Sequence, residues 1–257
     1  MYPFISEHLG LTFTEGTQAP VTEDSTDALV VPGSIAVCRL YDRGAAFVYV
    51  KAGATLADGN VVALGLSYVD ADVDAAQTTS EYVMTGTGDF TADELCGLGS
   101  MVVINAGGGL KFGSHFIKKN TANVLTTDRV WGEALTTSSD YIVHTLNRVV
   151  KADIDAVGTK HVAGVAIGAI TSGKYGWIQI SGVHWKVLSV GNTDAAVIGE
   201  GMIANTAVGL ASGWTNAATS AENVFYSFGM ALCSDAEAAG TGEGVPVLIT
   251  DCAKFWV

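Results

Sequence analysis

The sequence predicts an all-β protein built from two related small β-barrel or β-sandwich domains. Short runs rich in Val, Ile, Thr and aromatic residues alternate with glycine-containing turns, and 31 glycines accompany only 4 prolines. Few segments place apolar residues at helical spacing, which argues against a helical fold. An internal repeat, described below, indicates that one domain occurs twice.

Composition excludes several functional classes. Hydrophobic residues make up 49% of the 257 residues and charged residues 15%, so the chain has enough apolar surface to fold. The net charge of −13 disfavours nucleic acids and anionic membranes as partners, because both repel an acidic surface. No apolar run reaches the roughly 18 residues that a membrane-spanning segment needs.

The segment Met1–Pro32 differs from the rest of the chain. It combines isolated aromatic residues, Tyr2, Phe4 and Phe13, with three prolines and shows no lasting alternation. It also lacks the basic and apolar regions of a signal peptide, so we expect synthesis in a cytoplasm. The pattern predicts an extended arm, and the alternative is a strand or two folded onto the main body.

Strands begin after this arm. Alternating and β-branched residues predict strands over Ile35–Leu40, Ala46–Lys51 and Val61–Leu64. The dipeptide Asp58-Gly59 predicts a tight turn just before the third of these strands. Farther along, Thr91–Leu98 could form one short helical turn, with Thr91 as the N-cap and Glu94 completing a capping box.

The repeat joins two pairs of segments. Val162–Ile180 resembles Tyr226–Ile249, since each contains an apolar strand with Gly and Ala, a turn of small residues and a second apolar strand. Upstream, Ala54–Ala63 resembles Ala196–Ala204, and in each an acidic residue followed by glycine precedes a strand. In the second segment the acidic residue and the glycine that follows it are Glu200 and Gly201. We therefore expect two copies of one small β-domain.

The first copy contains an insertion. Its two halves are separated by about Leu66–Leu146, whereas Asn205–Asn223 joins the halves of the second copy. The predicted organisation is an N-terminal arm (1–32), a first β-domain (33–84 and 144–190), an inserted β-subdomain (85–143) and a second β-domain (191–257). Within the insertion we expect four strands, the first two joined by a turn at Gly107–Gly109: Ser100–Asn105, Ser114–Lys119, Asn123–Thr127 and Tyr141–His144.

No catalytic or cofactor-binding residues are predicted. The chain has no nucleophile elbow, phosphate-binding loop, dinucleotide fingerprint or zinc-protease motif. The histidines do not occur at metal-ligand spacing, although His115 and His144 could meet across strands of the insertion. The five histidines are His8, His115, His144, His161 and His184.

One acidic segment partly matches a calcium-binding loop. Asp70, Asp72, Asp74 and Glu81 occupy positions 1, 3, 5 and 12 of that template. Ala75 stands where the template has the glycine of the sharp turn, and no flanking helices are predicted. These four carboxylates are the one candidate metal site, and the alternative is an exposed acidic loop.

The segments Ala163–Ile170 and Gly173–Gly182 carry a family resemblance. Their Ala-Gly-Val-Ala strand, small-residue turn and Gly-Trp-Ile-Gln-Ile strand resemble the β-domains of capsid decoration, or cement, proteins of tailed bacteriophages. Lys51–Leu64 resembles the upstream half of the same domain, and Ile117–Leu125 resembles inserts in such proteins. The resemblance covers about half the chain. It implies a structural role in the virion and no active-site residues.

We therefore expect a non-enzymatic protein, made in the host cytoplasm, that binds the exterior of a phage capsid and bridges major capsid protein subunits. Self-association is also expected, with a trimer as one option. Contacts to the capsid or to sister subunits are expected from the arm and from the aromatic C-terminal tail: Tyr2, Phe4, Ile5, Phe13, Phe255 and Trp256. The alternatives are a head fibre, tail or baseplate adhesin, or a carbohydrate-binding β-sandwich with Trp131, Trp177 or Trp214 in an aromatic platform.

Overall fold

The computed structural model describes residues 24–26, 32–33, 35–38, 45–74, 83–85, 90–106, 113–132, 134–153, 161–190, 196–214, 227–234, 243–250 and 252. These residues contain no α-helix, which confirms the all-β prediction. Hydrogen bonds join the strands into one large sheet. The strands are β1 (Ile35–Cys38), β2 (Ala45–Ala52), β3 (Val61–Asp72), β4 (Val83–Thr85), β5 (Ser100–Ala106), β6 (Ser114–Asn120), β7 (Val124–Thr127), β8 (Asp140–Lys151), β9 (Gly164–Ala166), β10 (Tyr175–Ser189), β11 (Gly201–Ala204), β12 (Ala211–Gly213), β13 (Gly229–Ala231) and β14 (Glu243–Ile249).

By its contacts the chain divides into two compact units, residues 1–64 with 149–257 and residues 65–148. The second unit is wider than the predicted insertion, 85–143. The reason is that the chain crosses between the units inside β3 and inside β8, two uninterrupted strands of 12 residues each. Composition does not change at either crossing, so the sequence offers no signal for the boundary.

The larger unit contains a closed ring of five strands. Strand β2 pairs with the first half of β10, β10 pairs with β9, and β9 pairs with β3. Strand β8 closes the ring by pairing with both β3 and β2. Here the Ala152 amide donates to the Val61 carbonyl at 3.0 Å, and the Gly53 amide donates to the Val149 carbonyl at 2.7 Å. We call these strands the first ring.

A second ring of five strands starts from the other half of β10. Strand β10 pairs with β14, β14 with β13, β13 with β11, and β11 with β12. The ring closes where Ser189 of β10 lies opposite Ala211 of β12. There the Val190 amide donates to the Ala211 carbonyl at 3.1 Å. Strand β10 is therefore a member of both rings.

A tight turn precedes β3 in the first ring, as the sequence predicts. The Ala57 amide donates to Asn60 Oδ1 at 2.8 Å, which closes the turn with a side-chain acceptor. Gly59 has φ +86°, a left-handed conformation that favours glycine. Its amide donates to the carbonyl of Ala166 in β9 at 2.8 Å, and the Ala166 amide returns a bond to the Asn60 carbonyl at 2.9 Å.

The turn before β11 has the same bonds. The Val197 amide donates to Glu200 Oε2 at 2.9 Å, and Gly199 has φ +83°. The Gly199 amide donates to the Ala231 carbonyl at 2.8 Å, and the Ala231 amide donates to the Glu200 carbonyl at 2.8 Å. The sequence aligns Glu200-Gly201 with Asp58-Gly59, and this register is wrong by two residues, because Gly199 occupies the position of Gly59. Glu200 corresponds to Asn60 because its carboxylate supplies the acceptor that closes the turn.

The strands that follow the two turns also correspond. Strand β3 pairs with β9 in the same register, relative to the turn, as β11 pairs with β13. The Trp214 amide donates to the Gly201 carbonyl at 3.0 Å, which matches the bond between Ala152 and Val61. In the second ring the six residues Asn205–Leu210 connect β11 to β12. In the first ring the equivalent strands, β3 and β8, are connected through residues 65–148.

One apolar core fills the larger unit. Val48, Val62, Ile178, Met202 and Val247 are among its fully buried members, and they come from strands of both rings. Burial of aliphatic side chains of this kind contributes roughly 1.5–3 kcal/mol per residue relative to exposure. The interior is therefore continuous between the two rings through β10.

In the first half of β10 the other face is largely buried as well. Trp177, which the sequence offers as part of an aromatic platform, lies on this face. The structure places it in the interior at 3% exposure, with its ring centroid 5.1 Å from that of Tyr49. Tyr49 also stacks on Tyr175 at 6.0 Å. An aromatic cluster thus packs on one face of the strand, and Ile178 packs on the other.

The smaller unit is an antiparallel sheet with strand order β8-β5-β6-β7-β4. Strands β5, β6 and β7 each agree with the predicted segments to within a residue. Trp131 and Tyr141 are the largest side chains of a separate apolar core, at 1% and 0% exposure. The turn predicted at Gly107–Gly109 lies outside the described residues.

The helical turn predicted over Thr91–Leu98 is wrong. This segment forms consecutive turns, although Glu94 Oε2 does accept the Thr91 amide at 2.9 Å as a capping box would. Asp93 has φ +58°, which ends any helical run. Asn120 replaces the missing helical bonds, since its Oδ1 accepts the Leu95 amide at 3.0 Å and its Nδ2 donates to the Thr91 carbonyl at 2.8 Å.

Replacing Gly59 by alanine should destabilise the protein more than replacing Gly173. A Cβ atom on Gly59 would collide with the backbone carbonyl of Lys186, whereas one on Gly173, at φ +82°, would meet no atom within 4 Å. We expect Gly173→Ala to lower the free energy of unfolding by about 1 kcal/mol through backbone strain alone. We expect Gly59→Ala to lower it by about 2–3 kcal/mol or more. Urea denaturation measures both, and equal losses would contradict the packing described at this turn.

Candidate interaction surfaces

The residues predicted to contact the capsid are Tyr2, Phe4, Ile5, Phe13, Phe255 and Trp256, and all six lie outside the described residues. Their role stays a prediction. Of the predicted arm, the structure describes residues 24–26 and Pro32. Contacts of residues 24–26 show where this part of the arm is attached.

Residues 24–26 are attached to the turn between β9 and β10. Asp24 Oδ2 accepts the Thr171 amide at 2.6 Å, and its Oδ1 pairs with Lys174 Nζ at 3.1 Å. Ser25 and Tyr175 exchange two backbone hydrogen bonds of 2.8 Å. The hydrogen bonds from Thr171 hold the pKa of Asp24 below its ordinary value. The predicted arm is thus held to the first ring at this point.

The described part of the candidate metal segment, residues 70–74, begins at the end of strand β3. Asp70 and Asp72 belong to β3, Asp74 follows the strand and is exposed, and Glu81 lies outside the described residues. An extended backbone at the first two positions does not provide the sharply turned loop of the calcium-binding template. Across the described segments, no group of three or more His, Cys, Asp or Glu side chains could hold a metal ion.

The histidines of the smaller unit do not meet. Strand β5 lies between their strands, with His115 opposite Val102 and His144 opposite Met101. Because neighbouring residues of a strand face opposite sides, His115 and His144 point to opposite faces of the sheet. His115 is buried instead against Trp131, with ring centroids 4.2 Å apart. Burial lowers its pKa.

His184 is buried in β10, near the contact between the rings. Its Nδ1 accepts the Lys186 amide at 3.2 Å, a bond that requires this nitrogen to be unprotonated. Burial lowers the pKa of His184, while Asp58 and a hydrogen bond to the Ala166 backbone oppose this effect. Asp58 also pairs with Lys186 Nζ at 3.2 Å. The imidazole is therefore neutral near pH 7 and acts as a structural acceptor.

The sequence did not predict the exposure of two groups of apolar residues. Trp185 is 77% exposed, because the register between β10 and β14 shifts between His184 and Val187 and turns it outward. Residues at the start and edges of the second ring are exposed as well, including Ile198 at 66%. A bulge or a ring edge leaves no mark in single-residue hydrophobicity, so no sequence signal distinguishes these residues from core positions.

The three tryptophans proposed for a carbohydrate platform differ in exposure. Of the three, Trp131 and Trp177 are buried, whereas Trp214 is partly exposed, at 38%.

The described part of the chain contains no helix long and apolar enough to cross a membrane. Comparisons with protein-family models, with curated proteins and with solved structures find no match to the chain.

Substituting Asp24 by alanine should release residues 24–26 from the first ring. The change removes the acceptor for the Thr171 amide and the partner of Lys174, which we expect to cost about 1–2 kcal/mol locally. Amide hydrogen exchange at Ser25 and Tyr175 should then accelerate about tenfold. Asp58→Ala is the matched control, since it removes an ion pair elsewhere and should leave these two amides unchanged. Unchanged exchange in Asp24→Ala would contradict the anchoring role.

Stability should fall as the pH falls below about 6.5, where an unfolded histidine takes up a proton. The folded pKa of His184 lies lower, so between the two values the unfolded state binds more protons and the free energy of unfolding decreases with decreasing pH. One histidine contributes a slope of at most about 1.4 kcal/mol per pH unit. His184→Gln should reduce the loss between pH 7.5 and 5.5, leaving the part due to His115. Urea denaturation at the two pH values measures the loss, and an undiminished loss in the variant would refute the assignment.

Proposed function

We propose that this protein is a non-enzymatic structural component of a virion that binds the outer surface of a phage capsid and stabilises the head by bridging major capsid protein subunits. The observation that carries the proposal is the segment with the family resemblance. Its Ala-Gly-Val-Ala part contains β9, and its Gly-Trp-Ile-Gln-Ile part lies in the half of β10 that belongs to the first ring. The residues that carry the family resemblance thus belong to two strands of the first ring.

We further propose that the two rings are copies of one domain, and that the first copy carries residues 65–148 as an insertion. Matching hydrogen bonds at the turns of Gly59 and Gly199 support this duplication. The strands after these turns pair in matching registers. The insertion occupies the place where the second ring has only the turn Asn205–Leu210.

A capsid-binding role fits the chemistry of the chain. Binding to a shell needs a stiff body and several contact points, and weak contacts multiply when one protein engages a symmetric lattice repeatedly. The continuous apolar core of the two rings supplies such a body. Exposed Trp185 and Ile198 supply apolar contact surface. The net charge of −13 keeps the protein away from the packaged nucleic acid and favours the shell exterior.

Binding to heads tests the proposal. Heads from the phage that encodes the chain, prepared without this protein, are mixed with purified full-length protein and separated by sedimentation. We expect the protein to saturate the heads at a number of copies fixed by the number of capsomers, and to raise the temperature at which the heads release DNA. Absence of binding to these heads, or binding without a fixed stoichiometry, would overturn the proposed function.

A deletion of residues 2–23 tests the arm. It removes Tyr2, Phe4, Ile5 and Phe13 but retains the anchor at Asp24. We expect lower occupancy on heads, about tenfold weaker binding or more, with an unchanged thermal unfolding temperature of the free protein. The combined substitution of Phe255 and Trp256 by serine tests the tail in the same assay. Wild-type occupancy of either variant would remove that segment from the contact surface.

A further inference from the structure

His115 and Trp131 form a buried polar pair in the smaller unit. His115 lies opposite Val102 of β5, a core residue, so its side chain faces the apolar core of this unit. The two ring centroids are 4.2 Å apart, and His115 and Trp131 are 6% and 1% exposed. Within the described part of the chain, neither His115 Nδ1 nor Trp131 Nε1 has a hydrogen-bond partner, and both atoms are buried from solvent. We call these two residues the His115 pair.

Other buried polar side chains of the smaller unit are better provided with partners. Asn120 accepts a backbone amide through Oδ1 and donates to two carbonyls through Nδ2, and Thr127 Oγ1 donates to the Arg129 carbonyl at 2.9 Å. The Ser100 hydroxyl also has no partner in the described segments, but it cannot take up a charge near neutral pH. Of the unpartnered buried atoms described in this unit, only His115 Nδ1 can bind a proton in that range.

The neutral imidazole of His115 fits this site. A hydrogen bond joins the ring to the Arg129 backbone, and because Nδ1 has no partner, Nε2 is the nitrogen that donates. A second proton would be placed on Nδ1, where an imidazolium finds neither an acceptor nor water. Burial therefore lowers the pKa of His115. The backbone hydrogen bond opposes this effect on the pKa, the Arg129 charge adds to it, and the Asp128 charge opposes it.

Protonated His115 can reach water when the chain after β7 separates from β6. Two bonds hold this chain to β6: the Phe116 amide donates to Asp128 Oδ1 at 3.0 Å, and the Asp128 amide donates to the Phe116 carbonyl at 2.9 Å. Asp128 Oδ2 also pairs with the exposed Arg129 Nε at 3.5 Å, so its carboxylate is already engaged. The same stretch leads to Trp131, the largest fully buried side chain. Its separation from β6 therefore opens the core of the smaller unit.

The buried histidine of the larger unit is in a different setting. His184 Nδ1 accepts a backbone amide, and Asp58 is the largest influence that opposes the effect of burial on its pKa. At His115 the neighbouring charges are those of Arg129 and Asp128, of which Arg129 has the larger influence on the pKa. The neighbouring charges thus favour a proton on His184, whereas on balance they repel one on His115.

We propose that protonation of His115 opens the smaller unit while the two rings of the larger unit stay closed. The two units have separate apolar cores, so opening the core around Trp131 leaves the core of the rings in place. The His115 pair thus acts as an acid-sensitive switch, because one proton converts a buried neutral contact into a charge that needs water. The inference concerns the smaller unit alone and does not depend on the proposed function.

Native-state hydrogen exchange of the full-length protein at about pH 7.5 and 5.5 tests this inference. The amides of Leu95 and Ile104, bonded to Asn120 Oδ1 and to the Gly113 carbonyl, report on the smaller unit, and the Ala166 amide reports on the rings. A histidine that is protonated only in the open form raises the opening equilibrium constant at most about tenfold between these pH values. After correction for intrinsic exchange rates, we expect a rise of about fivefold to tenfold at Leu95 and Ile104. Both amides should also open with a weaker denaturant dependence than Ala166.

Two variants remove the titrating group. His115→Phe keeps a ring against Trp131, and His115→Gln keeps a donor for the Arg129 carbonyl. Thermal unfolding monitors whether each variant folds, and in a folded variant the acid-induced rise at the two reporter amides should disappear. His184→Gln is the matched control, since it removes a buried histidine from the larger unit and should keep the full rise at both reporters.

Three results would overturn the inference. The first is a rise that persists when His115 is replaced. The second is opening of Leu95 and Ile104 only together with Ala166, at the same free energy and with the same denaturant dependence. The third needs no variant: imidazole resonances of His115 that titrate near pH 6.5 in the wild type, with the protection of Leu95 and Ile104 unchanged, would show that the folded site accepts the proton.

Discussion

The structure depends on the division of strand β10 between two rings. A strand presents a row of amide and carbonyl groups along each edge, and the interior can be apolar only where those groups are paired. The 15 residues of β10 pair with β2 and β9 in the first half and with β14 and β12 in the second. Each ring contains one half of β10, so this strand joins the two rings along the chain. The core, the exposed bulge at Trp185 and the contact between the rings all follow from this arrangement.

The shared strand also sets what the surfaces can do. Side chains on both faces of its first half are buried, by the core on one side and by the aromatic cluster of Tyr49, Tyr175 and Trp177 on the other. In the second half of the strand, the bulge turns Trp185 outward and leaves it exposed. The proposed attachment to a repeating surface would gain its strength from many modest contacts.

Local patterns predicted much of the fold. Alternating residues located β2, β5 and β6, and Asp58-Gly59 located a turn, because strand pairing and left-handed glycine follow from nearby residues. The internal duplication stays a proposal, and the turn by which the sequence aligned the two copies was placed two residues too late: an acidic residue before glycine suggested Glu200-Gly201, whereas the left-handed residue is Gly199. The exposure of Trp185 depends on a register shift between two distant strands, and the sequence carries no local sign of that shift. The helix predicted at Thr91 failed because Asn120, from a strand distant in sequence, supplies the competing hydrogen bonds.

Native-state hydrogen exchange tests most directly whether the two rings form one cooperative body. The amides of Ala166 and Ala231 occupy equivalent positions, donating to the carbonyls of Asn60 and Glu200 in their respective rings. If neither ring can open without β10, both amides should exchange with the same opening free energy, and denaturant should lower it with the slope of global unfolding. Exchange of Ala231 at a free energy lower by about 1.4 kcal/mol or more, a tenfold difference in rate, would contradict the account.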